Sequence, residues 1–405
     1  MALEIGIGLS TEKDPAIAAK EAAQQASLNL GSEKVNLAIV FSSRNLASAG
    51  LLKNITSVTG GIPIIGSTGT AIMTGQGIFK HGLAVMLLNI PSGIPIATAC
   101  ARDLKAKTSL KCGRELAEKL LDNLKEARRA LSLILVDGLI EDTAELIVGM
   151  REKLGRILPI LVGSASTNMQ THHTYLYFNQ DILIDSVLGI LWGGKLNFGL
   201  SSHHGWKPLG KPRLVTKSQG NLVEEIDGEY ALKTYEQYFG GSAAELRKNF
   251  RLISMLYPLG ISVEGENEYL LRNATAIEKN GGLRFQADIK QGSIVKLMLA
   301  TKESCLQATR DAAEEAKKSL VGPPTESTKD LTKKAVLIFE SLPRQMLLSK
   351  NPAEEIKIIK EVLGVDTPIM GLYTYGGQAP LNTTSYYQNQ AHFHNQAINI
   401  LALGG

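Results

Sequence analysis

Polar and aromatic residues crowd one short stretch near the end of this chain: Tyr373, Tyr375, Gln378, Asn382, Tyr386, Tyr387, His392, His394 and Asn395. The whole sequence has 11 tyrosines in 405 residues, so four of them here make a local enrichment. Aromatic walls with a few convergent amides are what a small-molecule pocket requires. The plainer alternative is a tyrosine-rich strand edge. Two hydroxyl-rich loops elsewhere suit the same chemistry: Ser67-Thr68-Gly69-Thr70 and Ser164-Ala165-Ser166-Thr167. Nearby lie Ser42-Ser43-Arg44, Asp137-Gly138 and Glu340-Ser341-Leu342-Pro343-Arg344. Backbone N–H groups freed at glycine turns, with hydroxyls and an arginine opposite, make an anion or carboxylate site. The alternative is that these small residues only terminate strands.

Other chemistry is weakly marked. Gly6-Ile7-Gly8-Leu9-Ser10-Thr11 has Thr11 where a dinucleotide fingerprint needs its third glycine, and no Walker sequence or GxSxG serine signature occurs. The histidines pair as His172-His173, His203-His204 and His392/His394. Adjacent histidines on a strand point to opposite faces, so neither adjacent pair chelates easily. No metal site is expected, and a single axial haem ligand at His394 or His204 is the low-ranked cofactor alternative. No catalytic constellation stands out, so the expectation is a protein that is not an enzyme. An enzyme with an unrecognised site in the C-terminal part is the alternative.

The elements that would position these residues follow a repeat. Pro63-Ile64-Ile65-Gly66-Ser67-Thr68 returns as Pro159-Ile160-Leu161-Val162-Gly163-Ser164 and as Pro368-Ile369-Met370-Gly371-Leu372-Tyr373. Around each phrase the pattern reads strand, helix, strand, helix, strand, then hairpin strands. Copies span residues 3–90, 94–192 and 293–403, with an unrepeated, β-rich stretch over 193–292 between the last two. The β-runs are apolar throughout, which suits strands buried on both faces. Helix starts are signalled by Asp14-Pro15 and by Asn351-Pro352-Ala353-Glu354. The expected fold class is α/β, with α+β mixed sheets, three related units and an insert. Two domains are expected, 1–218 and 219–405.

Composition narrows the partners. Hydrophobic content of 44%, charged content of 20% and a net charge of +4 are ordinary for a globular protein, and no dense basic run offers a nucleic-acid surface. Three cysteines, Cys100, Cys112 and Cys305, lie far apart in no CxxC spacing, which fits a reducing compartment. No uncharged apolar run reaches the roughly 18 residues of a membrane helix, and the start lacks a basic-then-apolar leader. A cytoplasmic protein with no nucleic-acid partner and no membrane insertion is expected.

An ordered series of motifs carries a family resemblance. Gly205-Trp206-Lys207-Pro208-Leu209-Gly210 is followed by Gly220-Asn221-Leu222-Val223-Glu224-Glu225-Ile226-Asp227-Gly228. Then come Tyr257-Pro258-Leu259-Gly260, Tyr269 with Arg272, Gly282-Leu283-Arg284-Phe285, and Phe339 with Arg344. The series ends in Pro368–Gly376 and His394-Asn395. In that order these resemble the FIST proteins (for F-box and intracellular signal transduction), and Pro63–Thr70 with Gly77–Leu88 resemble the N-terminal FIST domain. The resemblance implies a sensory module of an N- and a C-terminal domain that binds small ligands, amino acids being a favoured proposal. Some members are described as haem-binding nitric-oxide sensors. Gly376-Gly377-Gln378 stands where the family commonly has Gly-Glu, and Ser67-Thr68-Gly69-Thr70 ends without the usual acid.

The resulting expectation is a sensor of a small metabolite, an amino acid or related acid. Arg344 would pair with an anionic group and Arg272 would add a second positive charge. Tyr373 and Tyr375 would form aromatic walls, Gln378 and Asn395 would give neutral hydrogen bonds, and Ser67 and Thr68 would contribute hydroxyls. With the last strand ending near Leu403, signalling would pass in trans to a separate kinase, cyclase or regulator.

Overall fold

The computed structural model describes residues 3–32, 34–140, 143–167, 173–240, 243–262, 269–321, 334–348, 353–375, 377–380, 391–394 and 396–404. A first group of elements comprises β1 (Glu4–Ser10), α1 (Pro15–Leu30), β2 (Leu37–Ser43), α2 (Ala49–Thr59), β3 (Ile64–Gly69), the hairpin β4 (Ile72–Thr74) and β5 (Gly77–Phe79), and β6 (Leu83–Asn89). A second comprises β7 (Ile96–Arg102), α3 (Ser109–Leu124), β8 (Arg129–Val136), α4 (Thr143–Leu154), β9 (Ile160–Ser164), the hairpin β10 (Leu176–Phe178) and β11 (Asp181–Leu183), and β12 (Ser186–Gly193).

The third group opens with β13 (Asn197–His203) and is then interrupted. The interruption holds β14 (Lys207–Gln219), β15 (Leu222–Ile226), β16 (Glu229–Tyr230), α5 (Lys233–Phe239) and α6 (Ala243–Leu256). It continues with β17 (Leu259–Ser262), β18 (Tyr269–Arg272), β19 (Ala274–Ile277), β20 (Leu283–Phe285) and β21 (Ile294–Leu299). The third group resumes with α7 (Lys302–Val321), β22 (Lys334–Ser341), α8 (Leu342–Leu347), α9 (Ala353–Leu363), β23 (Ile369–Thr374), the hairpin β24 (Gly377–Pro380) and β25 (Ala391–His394), and β26 (Ile398–Gly404).

The three groups are wired alike. Each forms a sheet in which its first strand is an edge, its last strand pairs with it antiparallel, and its two middle strands run parallel. The strand orders are β1-β6-β2-β3, β7-β12-β8-β9 and β13-β26-β22-β23. Each is completed by a hairpin from another group: β10-β11 joins the first, β24-β25 the second and β4-β5 the third. The hairpin that follows each glycine phrase thus leaves its own sheet, and the three exchanges close a ring.

Two places differ from the sequence reading. The third group begins at Asn197–His203, which pairs with β26 over seven residues, and not at residue 293. The stretch 294–299 pairs with β14 and β17 inside the interruption. The insert is therefore nested within the third group, after its first strand. Asn197-Phe198-Gly199-Leu200-Ser201-Ser202-His203 is poor in apolar residues and lies about a hundred positions from its helix, so periodicity could not join the two.

Apolar residues on both strand faces build two kinds of core. Inward residues of all three sheets meet in one central core, where Phe41 and Phe339 touch edge to face at 5.8 Å beside Leu133 and Trp192. Outward residues meet the helices: Ala18, Ala22 and Ala26 on the first sheet, Leu116 and Leu120 on the second, Ala312 and Ile359 on the third. The insert has its own core around Val215, Tyr235, Phe250 and Phe285. A small cluster of Trp206, Leu271, Met298, Cys305 and Leu348 joins it to the third sheet.

The first helix starts as its sequence indicates, with Asp14 accepting from the backbone N–H groups of Ala16 and Ile17. It lies so close to β1 that a Cβ on Gly8 would sit 1.9 Å from the Ala22 carbonyl oxygen. Gly8→Val should therefore lower stability by about 3 kcal/mol or more, since backbone and not a flexible side chain would have to move. The urea midpoint at unchanged m-value measures this. Side chains of the same helices close the exposed strand edges: Asn29 donates to the Ile7 carbonyl (2.7 Å), and Asn123 to that of Thr98 (3.0 Å).

Candidate functional site

A cleft of about 160 Å³ opens between the second sheet and the insert. One wall is the carboxyl end of β8 and β9, where chain leaves the sheet: Gly138, Leu139, Ile140, Thr143 and Ser164, with Tyr375 just past β23. The other wall is the insert's Asn221, Thr275, Arg284, Phe285 and Gln286. Ends of parallel strands are where α/β sheets leave room for ligands. An engineered cavity of roughly 150 Å³ holds a benzene molecule, so this space suits a ligand of about six to nine non-hydrogen atoms.

The sheet wall is rigid for reasons of local chemistry. Asp137 is 4% exposed. Its Oδ1 accepts from the Leu139 N–H (3.0 Å) and the Thr174 hydroxyl (2.5 Å), and its Oδ2 accepts from the Asp185 N–H (2.7 Å). A Cβ on Gly138 would lie 1.8 Å from the Ala165 carbonyl oxygen and 3.0 Å from the Tyr375 ring, so only glycine lets the loop approach both. Tyr375 donates to the Thr167 carbonyl (2.6 Å). Burial pushes its phenol above the usual range, while the nearby Arg251 charge pulls the other way.

The insert wall carries a cation, Arg284. Arg284 donates through Nε (3.1 Å) and Nη2 (2.8 Å) to Glu278 and through Nη1 (3.1 Å) to Asn221. Asn221 is itself anchored on the Phe285 carbonyl at 3.1 Å. The Arg284–Glu278 pair is half exposed, so it contributes about 1 kcal/mol or less, and it aims the guanidinium more than it stabilises the fold. Gln286 accepts from Asn273 (3.2 Å), and Asn273 accepts in turn from Gln396 of the third group. A second opening of about 650 Å³ shares Leu139 and Ile140 and extends past Lys105, Thr108 and Glu145.

The residues marked by sequence fall into separate places. Tyr375 lines the cleft. Arg344 does not: it is 0% exposed and spends its donors internally on Glu340 (3.0 Å), Glu355 (2.5 Å), Thr309 (2.8 Å) and the carbonyls of His204 (2.8 Å) and Cys305 (3.0 Å). Burial alone would lower its pKa, but Glu355, Cys305 and Glu340 outweigh that and raise it. A ligand anion would have to displace Glu355 in the interior, so the expected ligand contact is corrected to a structural one.

Tyr373 is likewise 0% exposed, packed in the outer core of the third sheet beside Glu340, and is not a pocket wall. Ser67 and Thr68 are buried within β3, and Thr68 Oγ1 accepts from the Tyr175 N–H at 3.1 Å. Arg272 is 7% exposed, with Nη1 on the Leu271 carbonyl at 3.0 Å, and burial lowers its pKa to about 10. His204 Nδ1 accepts from the Trp206 N–H (2.9 Å) and its Nε2 faces the Tyr269 carbonyl (3.1 Å), which leaves no lone pair for haem iron. Asn395 and the side chains of Gln378 and His394 lie outside the described residues. Among the described residues no group of three His, Cys, Asp or Glu could hold a metal ion. No helix among them is long and apolar enough to cross a membrane.

Sequence reasoning did not single out Arg284, Asn221, Thr275 and Gln286, which line this candidate cleft. A signal existed, because Asn221 and Arg284 both sit in the motifs that carried the family resemblance.

Similarity to known proteins is broad in extent and low in identity. Two uncharacterised proteins of Mycobacterium tuberculosis are each 24% identical over 393 residues, covering 94% of this chain and 95% of theirs. An uncharacterised protein of Methanocaldococcus jannaschii is 24% identical over 273 residues, covering 62% of this chain and 51% of its own. A solved cyanuric acid hydrolase from A. caulinodans aligns over 99% of both chains at 7% identity, with a TM-score of 0.36, a likeness too slight to carry a functional argument. The FIST N domain matches residues 36–229 and the FIST C domain residues 231–380, so the two meet inside the insert. The chain belongs to the FIST family of signal-transduction sensory domains.

Proposed function

We propose that this protein is a cytoplasmic sensor that binds a small metabolite in the cleft between the second sheet and the insert, without turning it over. Occupancy would be reported in trans to a separate signalling protein, such as a kinase, cyclase or regulator. The observation that carries this reading is the cleft itself: its two walls belong to bodies with separate hydrophobic cores, so a ligand touching both couples them. The alike wiring of the three sheets reads as an internal repeat. The insert breaks that equivalence by lying over the β8–β9 strand ends.

Thr275→Trp tests the site. Thr275 is exposed on the insert wall, so an indole there fills the cleft without disturbing a core. Ligand extracted from the purified wild-type protein and identified by mass spectrometry should be missing from the variant, with the melting temperature within about 2 °C of wild type. Equal ligand content in both would sink the proposed site.

A further inference from the structure

We infer that the insert is a hinged lid over the cleft. It pivots where the chain enters and leaves it, at Gly205-Trp206 and Ala300-Thr301, and the side chain of Gln396 is the catch that holds it closed.

The pivot lies between a fixed clamp and a stiff stem. On the sheet side Arg344 donates to the carbonyls of His204 (2.8 Å) and Cys305 (3.0 Å), so both crossings are pinned to the third group. On the insert side the crossings pair at once as antiparallel strands: Lys207 opposite Leu299, Pro208 opposite Met298 and Leu209 opposite Leu297. Between clamp and stem lie Gly205, at a φ of 84°, with Trp206 on one crossing, and Ala300-Thr301 ahead of α7 on the other. Two short stretches side by side bend together about one axis, as hinges between packed bodies do. The insert turns as a unit because Val215, Tyr235, Phe250 and Phe285 give it a core separate from those of the second and third sheets. Trp206 goes with it, since its indole N–H donates to the Leu256 carbonyl (2.9 Å).

The catch sits beside the cleft and away from the pivot. Gln396 is fully buried, and its Nε2 donates to the Met255 carbonyl (2.9 Å), at the end of α6, and to Asn273. Asn273 lies between β18 and β19 and donates in turn to Gln286 of the cleft wall (3.2 Å). The contact nearest the pivot is His204 Nε2 against the Tyr269 carbonyl (3.1 Å). Asn273 is four residues further along the same strand, about 13 Å at ~3.3 Å per residue, so it has the longer lever arm. Gln396 itself joins β25 of the second sheet to β26 of the third. It holds a left-handed φ of 57°, a conformation that costs a glutamine free energy. Neutral amide hydrogen bonds contribute far less than a packed core. This contact therefore opens while the cores on both sides stay intact, and a ligand bridging the two walls favours the closed position.

The test measures the separation of the two walls in the full-length protein. Cys100→Ser leaves Cys112 and Cys305, both buried. Nitroxide labels are then placed at Lys279→Cys, on the turn between β19 and β20, and at Val148→Cys on α4, both exposed. Double electron–electron resonance should give one narrow distance distribution with Gln396 in place. Gln396→Asn suits the left-handed φ but is one methylene short of its partners. It should shift the mean by about 5 Å or more, or double the width. Asn273→Ala should do the same from the insert side. A pair within the insert, Lys279→Cys with Lys290→Cys, should keep its distance in both variants. An unchanged distribution across the cleft in both variants overturns the lid, and so does a changed distance within the insert, which would mean a loosened core. The measurement needs no ligand, so it is separate from the sensor reading. An immobile insert leaves the Thr275→Trp test of the site standing, whereas a mobile insert with equal ligand content in wild type and Thr275→Trp keeps the lid and rejects the site.

Discussion

Replacing Arg344 by alanine should lower stability by about 3–5 kcal/mol, because it leaves the buried Glu355 carboxylate without its cation and takes a hydrogen-bond donor from Glu340. Both are buried, Glu340 at 0% and Glu355 at 1% exposed. For a chain of this size the loss corresponds to a melting temperature lower by roughly 5–10 °C. Calorimetry or circular dichroism at fixed pH measures it. The damage should spread to the joint of the insert, since Arg344 holds the carbonyl of His204, where β13 ends, and that of Cys305, in the first turn of α7. These two segments flank the insert, and the strands that enter and leave it pair side by side, Lys207 opposite Leu299. Combining Arg344→Met with Glu355→Gln should recover much of the loss, because charge and counter-charge leave together. An Arg344→Ala protein of unchanged melting temperature that no longer binds ligand would restore the contact expected from sequence and remove the structural role.

What the sequence revealed, and what it hid, depends on how far apart the causes lie. The glycine phrase marked β3, β9 and β23 because a buried parallel strand is a local apolar run with a local stop. The cap at Asp14 was legible for the same reason: its two hydrogen bonds reach only three residues ahead. The exchanged hairpins were hidden, since β4-β5 is the same local signal whether it joins its own sheet or the third. The residues marked as a site do not converge, for a subtler reason. Tyr373 and Tyr375 share a strand period, but β23 stops at Thr374, so Tyr373 keeps its place in the outer core while Tyr375 swings to the cleft. Arg344 looked like a loop arginine free to meet an anion. Its partners Thr309 and Glu355 come from α7 and α9, and no local pattern announces that a helix on each side will close over it.

The same cluster should set the pH dependence of stability. Burial, followed by the charge of Glu355, raises the Glu340 pKa well above the ordinary carboxylate range, against the opposing pull of Arg344. In the folded protein Glu340 therefore keeps its proton at pH values where the unfolded chain, with a pKa of about 4.3, has released it. The folded state then binds more protons than the unfolded one, so stability falls as pH rises, from about 4.3 up to the folded pKa. The slope for this one group is roughly 1.4 kcal/mol per pH unit across that window. Glu340→Gln mimics the protonated acid: its Oε1 can still accept from Arg344 Nε, and its amide can donate to Glu355. The variant should be destabilised little or not at all at pH 4.5 and be more stable than wild type at pH 8, with a flatter profile between. Tyr373, whose hydroxyl sits against Glu340 and is itself pushed well up by burial, stays neutral throughout. Urea unfolding at five pH values would decide it. Parallel profiles for wild type and Glu340→Gln would mean that Glu340 is ionised in the fold and that Arg344 neutralises both carboxylates.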